Sequence, residues 1–128
     1  NCMITGLAAG SSAGANDVDG GLTSIQSPAI AMPATGTITL RFSFYLAHLN
    51  NASKSDYFRV RVVGANGIAQ TVFQRAGVAS NVPAAWSTQT VNLTSFAGQS
   101  IRLRFEAADG GSVSLIEAGV DTVSVTRQ

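Results

Sequence analysis

The residues of this chain most suited to chemistry are its acids, because they are few and fall in clusters. The run Asn16-Asp17-Val18-Asp19-Gly20-Gly21 sets alternating Asx oxygens ahead of a glycine pair. Such a turn can wrap side-chain and backbone oxygens around a hard cation. Calcium, which takes about six to eight oxygens and tolerates a flexible loop, suits it better than magnesium or zinc. The same run also reads as a plain Asx-Gly turn, and it lacks the third Asx and the later Glu of an EF-hand loop. The remaining candidates are His48, Asp56, Asp109, Glu117 and Asp121, together with five arginines and three aromatic residues.

What positions these groups is a set of strands. Strict alternation of apolar and polar residues recurs between Gly- and Asn-rich breaks, and helical periodicity is nearly absent. Over 37–47, Ile38, Leu40, Phe42, Phe44 and Leu46 share one face. Over 57–62, Phe58, Val60 and Val62 alternate with Tyr57, Arg59 and Arg61; over 101–106, Ile101, Leu103 and Phe105 alternate with Arg102, Arg104 and Glu106. Weaker strands are expected at 22–26, 69–74, 87–93 and 118–126, the last with Val123 and Val125 inward. Seven or eight strands at this spacing predict an all-β fold, a two-sheet antiparallel β-sandwich with jelly-roll connections.

Extending the parity to the strand ends places the acids. His48 and Asp56 both fall on inward positions and are expected to face each other across a hairpin closed by 49–55. Asp109 continues the inward face of Phe105. Glu117 and Asp121 continue that of Val123 and Val125, which predicts a second inward pair of Asp109 with Glu117. Of the seven acids only Glu106 is expected on an outward strand position, so acids and arginines should be segregated. Clustered carboxylates of this kind need a cation, a proton or hydrogen bonds.

His48 can act as a metal ligand or general base, or as a structural residue bonded to a carboxylate such as Asp56. With Asp56 and Asp109 it forms a second polar cluster. Paired carboxylates can hydrolyse glycosides, but a sandwich of this size with no nucleophile motif is not expected to be an enzyme. The outward Arg41, Arg59, Arg61, Arg102 and Arg104, with Tyr45 and Tyr57 on the same side, read either as a ligand surface or as a solvated sheet face. Trp86, the sole tryptophan, precedes the strand at 87–93 with its parity open between a core or sandwich-edge role and a sugar platform.

Composition bounds these readings. A chain of 128 residues, 45% hydrophobic and 12% charged, is one domain and is not disordered. Eight basic against seven acidic side chains leave no basic field for nucleic acid, and no apolar run has the length of a membrane span. The lone Cys2 is a spare thiol or has its partner elsewhere. Residues 1–128 are expected to be a single module excised from a larger secreted protein, since the opening Asn1-Cys2-Met3-Ile4 is neither a start nor a signal peptide.

Three segments in order carry a resemblance: 16–21 leading to Thr23, Ser24 and Ser27-Pro28; Asp56-Tyr57-Phe58-Arg59-Val60; and Ser114-Leu115-Ile116-Glu117-Ala118-Gly119-Val120-Asp121. With Trp86, 91–98 and Arg102-Leu103-Arg104-Phe105, the chain resembles the non-catalytic jelly-roll modules appended to secreted bacterial hydrolases, especially metallopeptidases, related in architecture to MAM and cleaved-adhesin domains. That resemblance implies calcium near Asp17, Asp19 and Asp121, although Asp121-Thr122 stands where such modules commonly have two aspartates. The candidate calcium set is therefore Asn16, Asp17, Asp19, Asp121 and Glu117. The function expected is a calcium-stabilised, monomeric accessory module, covalently linked to a catalytic domain and binding a polysaccharide or matrix protein outside the cell. The alternative is a structural module with no ligand beyond calcium.

Overall fold

The computed structural model describes residues 2–6, 18 and 20–128. Within them the alternating segments form nine strands: β1 (Met3–Ile4), β2 (Gly21–Gln26), β3 (Ile30–Ala31), β4 (Ile38–His48), β5 (Tyr57–Gly64), β6 (Ala69–Ala76), β7 (Ser87–Asn92), β8 (Ser100–Asp109) and β9 (Ile116–Arg127). A four-stranded sheet runs β1-β9-β4-β7, and a five-stranded sheet runs β2-β8-β5-β6 with β3 also on β8. All pairings are antiparallel. Consecutive strands mostly change sheet: β4 to β5, β6 to β7 and β8 to β9 each cross over, while β5 and β6 form a hairpin turned at Gly67, whose φ of 79° suits glycine. This winding is the jelly-roll β-sandwich that the alternation predicts.

The inward residues of β4, β5 and β8 meet between the sheets. Phe42, Phe44, Phe58, Phe73 and Phe105 form one aromatic cluster, with Phe44 stacked on Phe58 at 4.9 Å between ring centroids. Ile38, Leu40, Val60, Leu93, Ile101 and Leu103 close around it. β2 and β3 lie along the same edge of β8 but are separated at Ser27-Pro28, because proline has no N–H for the ladder. There the Ser27 hydroxyl accepts the bond from Leu103 N–H at 3.0 Å.

Two expectations fail here for one reason: strand parity gives a face but not a partner. β4 and β5 belong to opposite sheets, so His48 and Asp56 do not face each other across a hairpin. Nor are β8 and β9 hydrogen-bonded neighbours, and the Asp109–Glu117 pair does not form. A third failure is local. Thr122, a β-branched residue at φ 49°, forms a bulge in which Thr122 and Val123 together oppose Phe42. One extra residue flips the face of the strand. Val125 packs on the core as expected, but Val123 is 43% exposed. Ile116, Ala118 and Val120 take the inward positions, and Glu117 and Asp121 turn outward.

Candidate functional site

The outer face of the four-stranded sheet collects the outward residues of β4, β7 and β9. Tyr45 lies opposite Gly119 on β9 and makes an edge-to-face contact with Trp86, their ring centroids 4.9 Å apart. Such a pair contributes about 0.5–1.5 kcal/mol beyond area burial, which steadies the Trp86 ring just ahead of edge strand β7. Trp86 is half exposed, so the edge placement stands and a core role does not. Gly119 is what lets Tyr45 lie against the sheet: a β-carbon there would collide with the Tyr45 ring. Gly119→Ala should therefore lift the ring. The near-ultraviolet circular dichroism of the Tyr45–Trp86 pair should collapse while the far-ultraviolet spectrum persists; an unchanged aromatic signal would contradict the packing.

Beside this aromatic row runs a polar one. Thr122 Oγ1 lies 2.8 Å from Ser43 Oγ, which lies 3.3 Å from Thr88 Oγ1, so hydroxyls from β9, β4 and β7 form a line across the sheet. Asp121 pairs with Ser43 in register and accepts from Thr122 N–H at 2.6 Å. Arg41 is exposed on the same face one row further on, opposite Thr90 and Ser124. Burial raises the Tyr45 pKa above its ordinary value, and the nearby Glu117 carboxylate adds to it, so the phenol keeps its proton. The hydroxyl row is not conspicuous in the sequence, since Ser and Thr are abundant and the bulge that aligns Thr122 has no signature.

Arg59, Arg61, Arg102, Arg104 and Tyr57 occupy the outer face of the other sheet. The single surface that would join them to Arg41 and Tyr45 does not exist, because β4 lies in one sheet and β5 and β8 in the other. Acids and arginines are not segregated either, since Glu117 and Asp121 share the outer face of the four-stranded sheet with Arg41. Glu106 points outward but is only 2% exposed, covered by arginine side chains from its own strand and from β5. It is ion-paired with Arg59 through Nε.

The inward acids meet at one end of the sandwich, where Asp56 and Asp109 adjoin. Asp56 accepts from Ser53 N–H at 2.6 Å and Gly110 N–H at 2.9 Å. Asp109 accepts from Gly20 N–H at 3.0 Å, Ser114 N–H at 3.3 Å and Ser114 Oγ–H at 2.9 Å. All four carboxylate oxygens thus have donors, and hydrogen bonds account for the burial of this pair. His48 does not join it. Its ring nitrogens contact Leu49 O at 3.0 Å and Val78 N–H at 3.4 Å, both backbone groups. Asn16, Asp17 and Asp19 lie outside the described residues; among the described ones, no three of His, Cys, Asp and Glu come together as metal ligands.

No protein-family model matches the chain, and no curated protein matches it. Solved structures do. One described as "CBM4 structure and function" superposes with a TM-score of 0.52 at 20% identity, over 82% of this chain and 61% of that one. The chain therefore spans less than two thirds of that neighbour's length. A carbohydrate binding module (CBM6cm-2) from Cellvibrio mixtus lichenase 5A, in complex with cellotriose, matches at TM-score 0.36 and 19% identity over 82% of this chain and 73% of that one. The infectious bursal disease virus Gx strain structure matches at 0.36 and 12% identity, over 99% of this chain and 31% of that one. The first of these likenesses agrees with the jelly-roll sandwich built above.

Proposed function

We propose that this chain is a non-catalytic module that binds polysaccharide through the outer face of the four-stranded sheet, as an accessory to a secreted hydrolase. The observation that carries the reading is the Tyr45–Trp86 pair beside a row of hydroxyls and carboxylates. The apolar C–H face of a pyranose stacks on an aromatic ring. Its hydroxyls then bond to Ser43, Thr88, Thr122, Asp121 and Arg41 on the adjoining rows. Tyr45, holding its proton, adds a donor. The fold neighbour described as CBM4 supports the same reading. Asp56 and Asp109 fit a structural role, because each of their oxygens already accepts from a protein donor.

The test is retention on a panel of insoluble polysaccharides, comparing the wild type with Trp86→Ala and Tyr45→Ala. Retention on at least one, lost in both variants, is expected. Failure on every polysaccharide would remove the binding half and leave a purely stabilising module.

Calcium belongs to the same proposal, held by Asn16, Asp17 and Asp19. Asp121 and Glu117 face outward and serve the glycan face instead. A ligand bound only by the folded state stabilises it by about 2.7 kcal/mol at a hundred times its Kd. Chelation should therefore lower the Tm of the wild type and leave that of Asp19→Ala unchanged. Equal melting with and without chelator in the wild type would overturn it.

A further inference from the structure

We propose that the outer face of the five-stranded sheet is a second binding face, independent of the Tyr45–Trp86 site, for an acidic polysaccharide bearing carboxylates on its sugar units. Four guanidinium groups sit there on two neighbouring strands, Arg59 and Arg61 on β5 and Arg102 and Arg104 on β8. The described residues supply one carboxylate among them. Glu106 is ion-paired with Arg59, while Arg61 Nη1 at 3.9 Å and Arg104 Nη1 at 3.8 Å stay beyond hydrogen-bond distance. Arg61 Nε is buried with no acceptor.

This arrangement costs the fold something. Arg61 and Arg104 stand directly opposite each other, and like charges in that position destabilise a sheet. Protein acceptors hold the guanidinium groups only in part, Arg61 Nη2 donating to Ala69 O at 3.0 Å and Arg102 Nη1 to Ser27 O at 3.1 Å, and each fork of five N–H donors keeps others for a ligand. Glu106 offsets part of the repulsion and holds Arg59, whose guanidinium also lies over the Tyr57 ring at 4.6 Å.

Charge complementarity calls for an anion, and the rest of the face says which kind. Gln26 accepts from Arg104 Nε at 3.0 Å, and Ser24 and Gln74 share the row of Glu106 and Arg59, so amides and a hydroxyl interleave with the guanidinium groups. That mixture suits a chain of hydroxyls with a carboxylate on each sugar, which a guanidinium fork can engage bidentately. Nucleic acid fits less well: the whole chain carries a net charge of only +1, and Tyr57, the aromatic residue on this face, already has Arg59 over its ring.

The experiment is affinity electrophoresis of the full chain in gels containing polygalacturonate, against gels with a neutral glucan, dextran sulfate or single-stranded DNA. Wild type should be retarded most by polygalacturonate, the more so at low salt. Arg61→Gln with Arg104→Gln should weaken that retardation at least tenfold, and the exposed Arg102→Gln severalfold. Trp86→Ala should leave it unchanged, which separates this face from the first. Absence of retardation in polygalacturonate, retardation that survives the arginine substitutions, or equal retardation by dextran sulfate or DNA would each overturn the proposal. Since the double substitution removes a like-charge pair, its Tm should be preserved.

Discussion

Asp56→Ala should lower the free energy of unfolding by about 2–6 kcal/mol, since two buried N–H groups each lose their acceptor at about 1–3 kcal/mol apiece. The side chain is 1% exposed and takes up two backbone N–H groups, those of Ser53 and Gly110, from different loops. Its own backbone carbonyl accepts from Gly77 N–H at 2.7 Å, so one residue gathers the 49–56 loop, the end of β6 and the turn after β8. The two N–H groups have no other acceptor once the carboxylate is gone. Asp56→Asn keeps a single acceptor oxygen and sets an NH2 group against the other donor, so an intermediate loss is expected.

The same site makes stability depend on acid. Burial pushes the Asp56 pKa up, but the hydrogen bonds donated to its carboxylate by Ser53 and Gly110 outweigh it and hold the pKa below the ordinary value. A group with a depressed folded-state pKa contributes stability that is present above its unfolded value, about 3.9, and is lost as pH falls through the folded one. Denaturant unfolding of the wild type should weaken as pH drops below about 4, and Asp56→Asn should lose less over that interval. Parallel pH profiles for the two proteins would show that Asp56 is not the group responsible.

The second large effect is on binding. Trp86→Ala should weaken the affinity for a retained polysaccharide by at least about 30-fold, the ~2 kcal/mol that marks an aromatic hot spot. Trp86 is held by Tyr45 rather than by the core, so its removal takes away the exposed ring and leaves the sandwich intact. Tyr45→Ala should cost as much, because Tyr45 both supports Trp86 and covers Gly119. Tyr45→Phe keeps both contacts and should lose only the donor, a severalfold change. Isothermal titration with a soluble oligosaccharide reads all three.

Much of this architecture is legible in the residues themselves. Unbroken alternation in β4, β5 and β8 assigns Phe42, Val60 and Leu103 to the core, and carries Asp56 and Asp109 inward with them. It stops where the backbone departs from a period of two. Nothing about Thr122 announces a positive φ, since β-branched residues avoid that region, so Glu117 and Asp121 read as inward although the bulge turns them out. Exposure is likewise not a property of one strand: Glu106 has outward parity, and its burial depends on arginine stems contributed partly by β5. The 49–55 loop is also short enough for a hairpin, and only the pairing of β4 with β7 and β9 shows that it crosses between sheets. Tyr45 and Trp86 were visible as candidates, but their contact across the β4–β7 boundary rests on register.

Because the chain has one tryptophan, its emission reports on the proposed site alone. Titrating the wild type with cello-, xylo- and manno-oligosaccharides while following Trp86 fluorescence should give a saturable shift with at least one series, abolished in Tyr45→Ala. Emission that none of the three series alters would contradict a sugar-binding role for the Tyr45–Trp86 face.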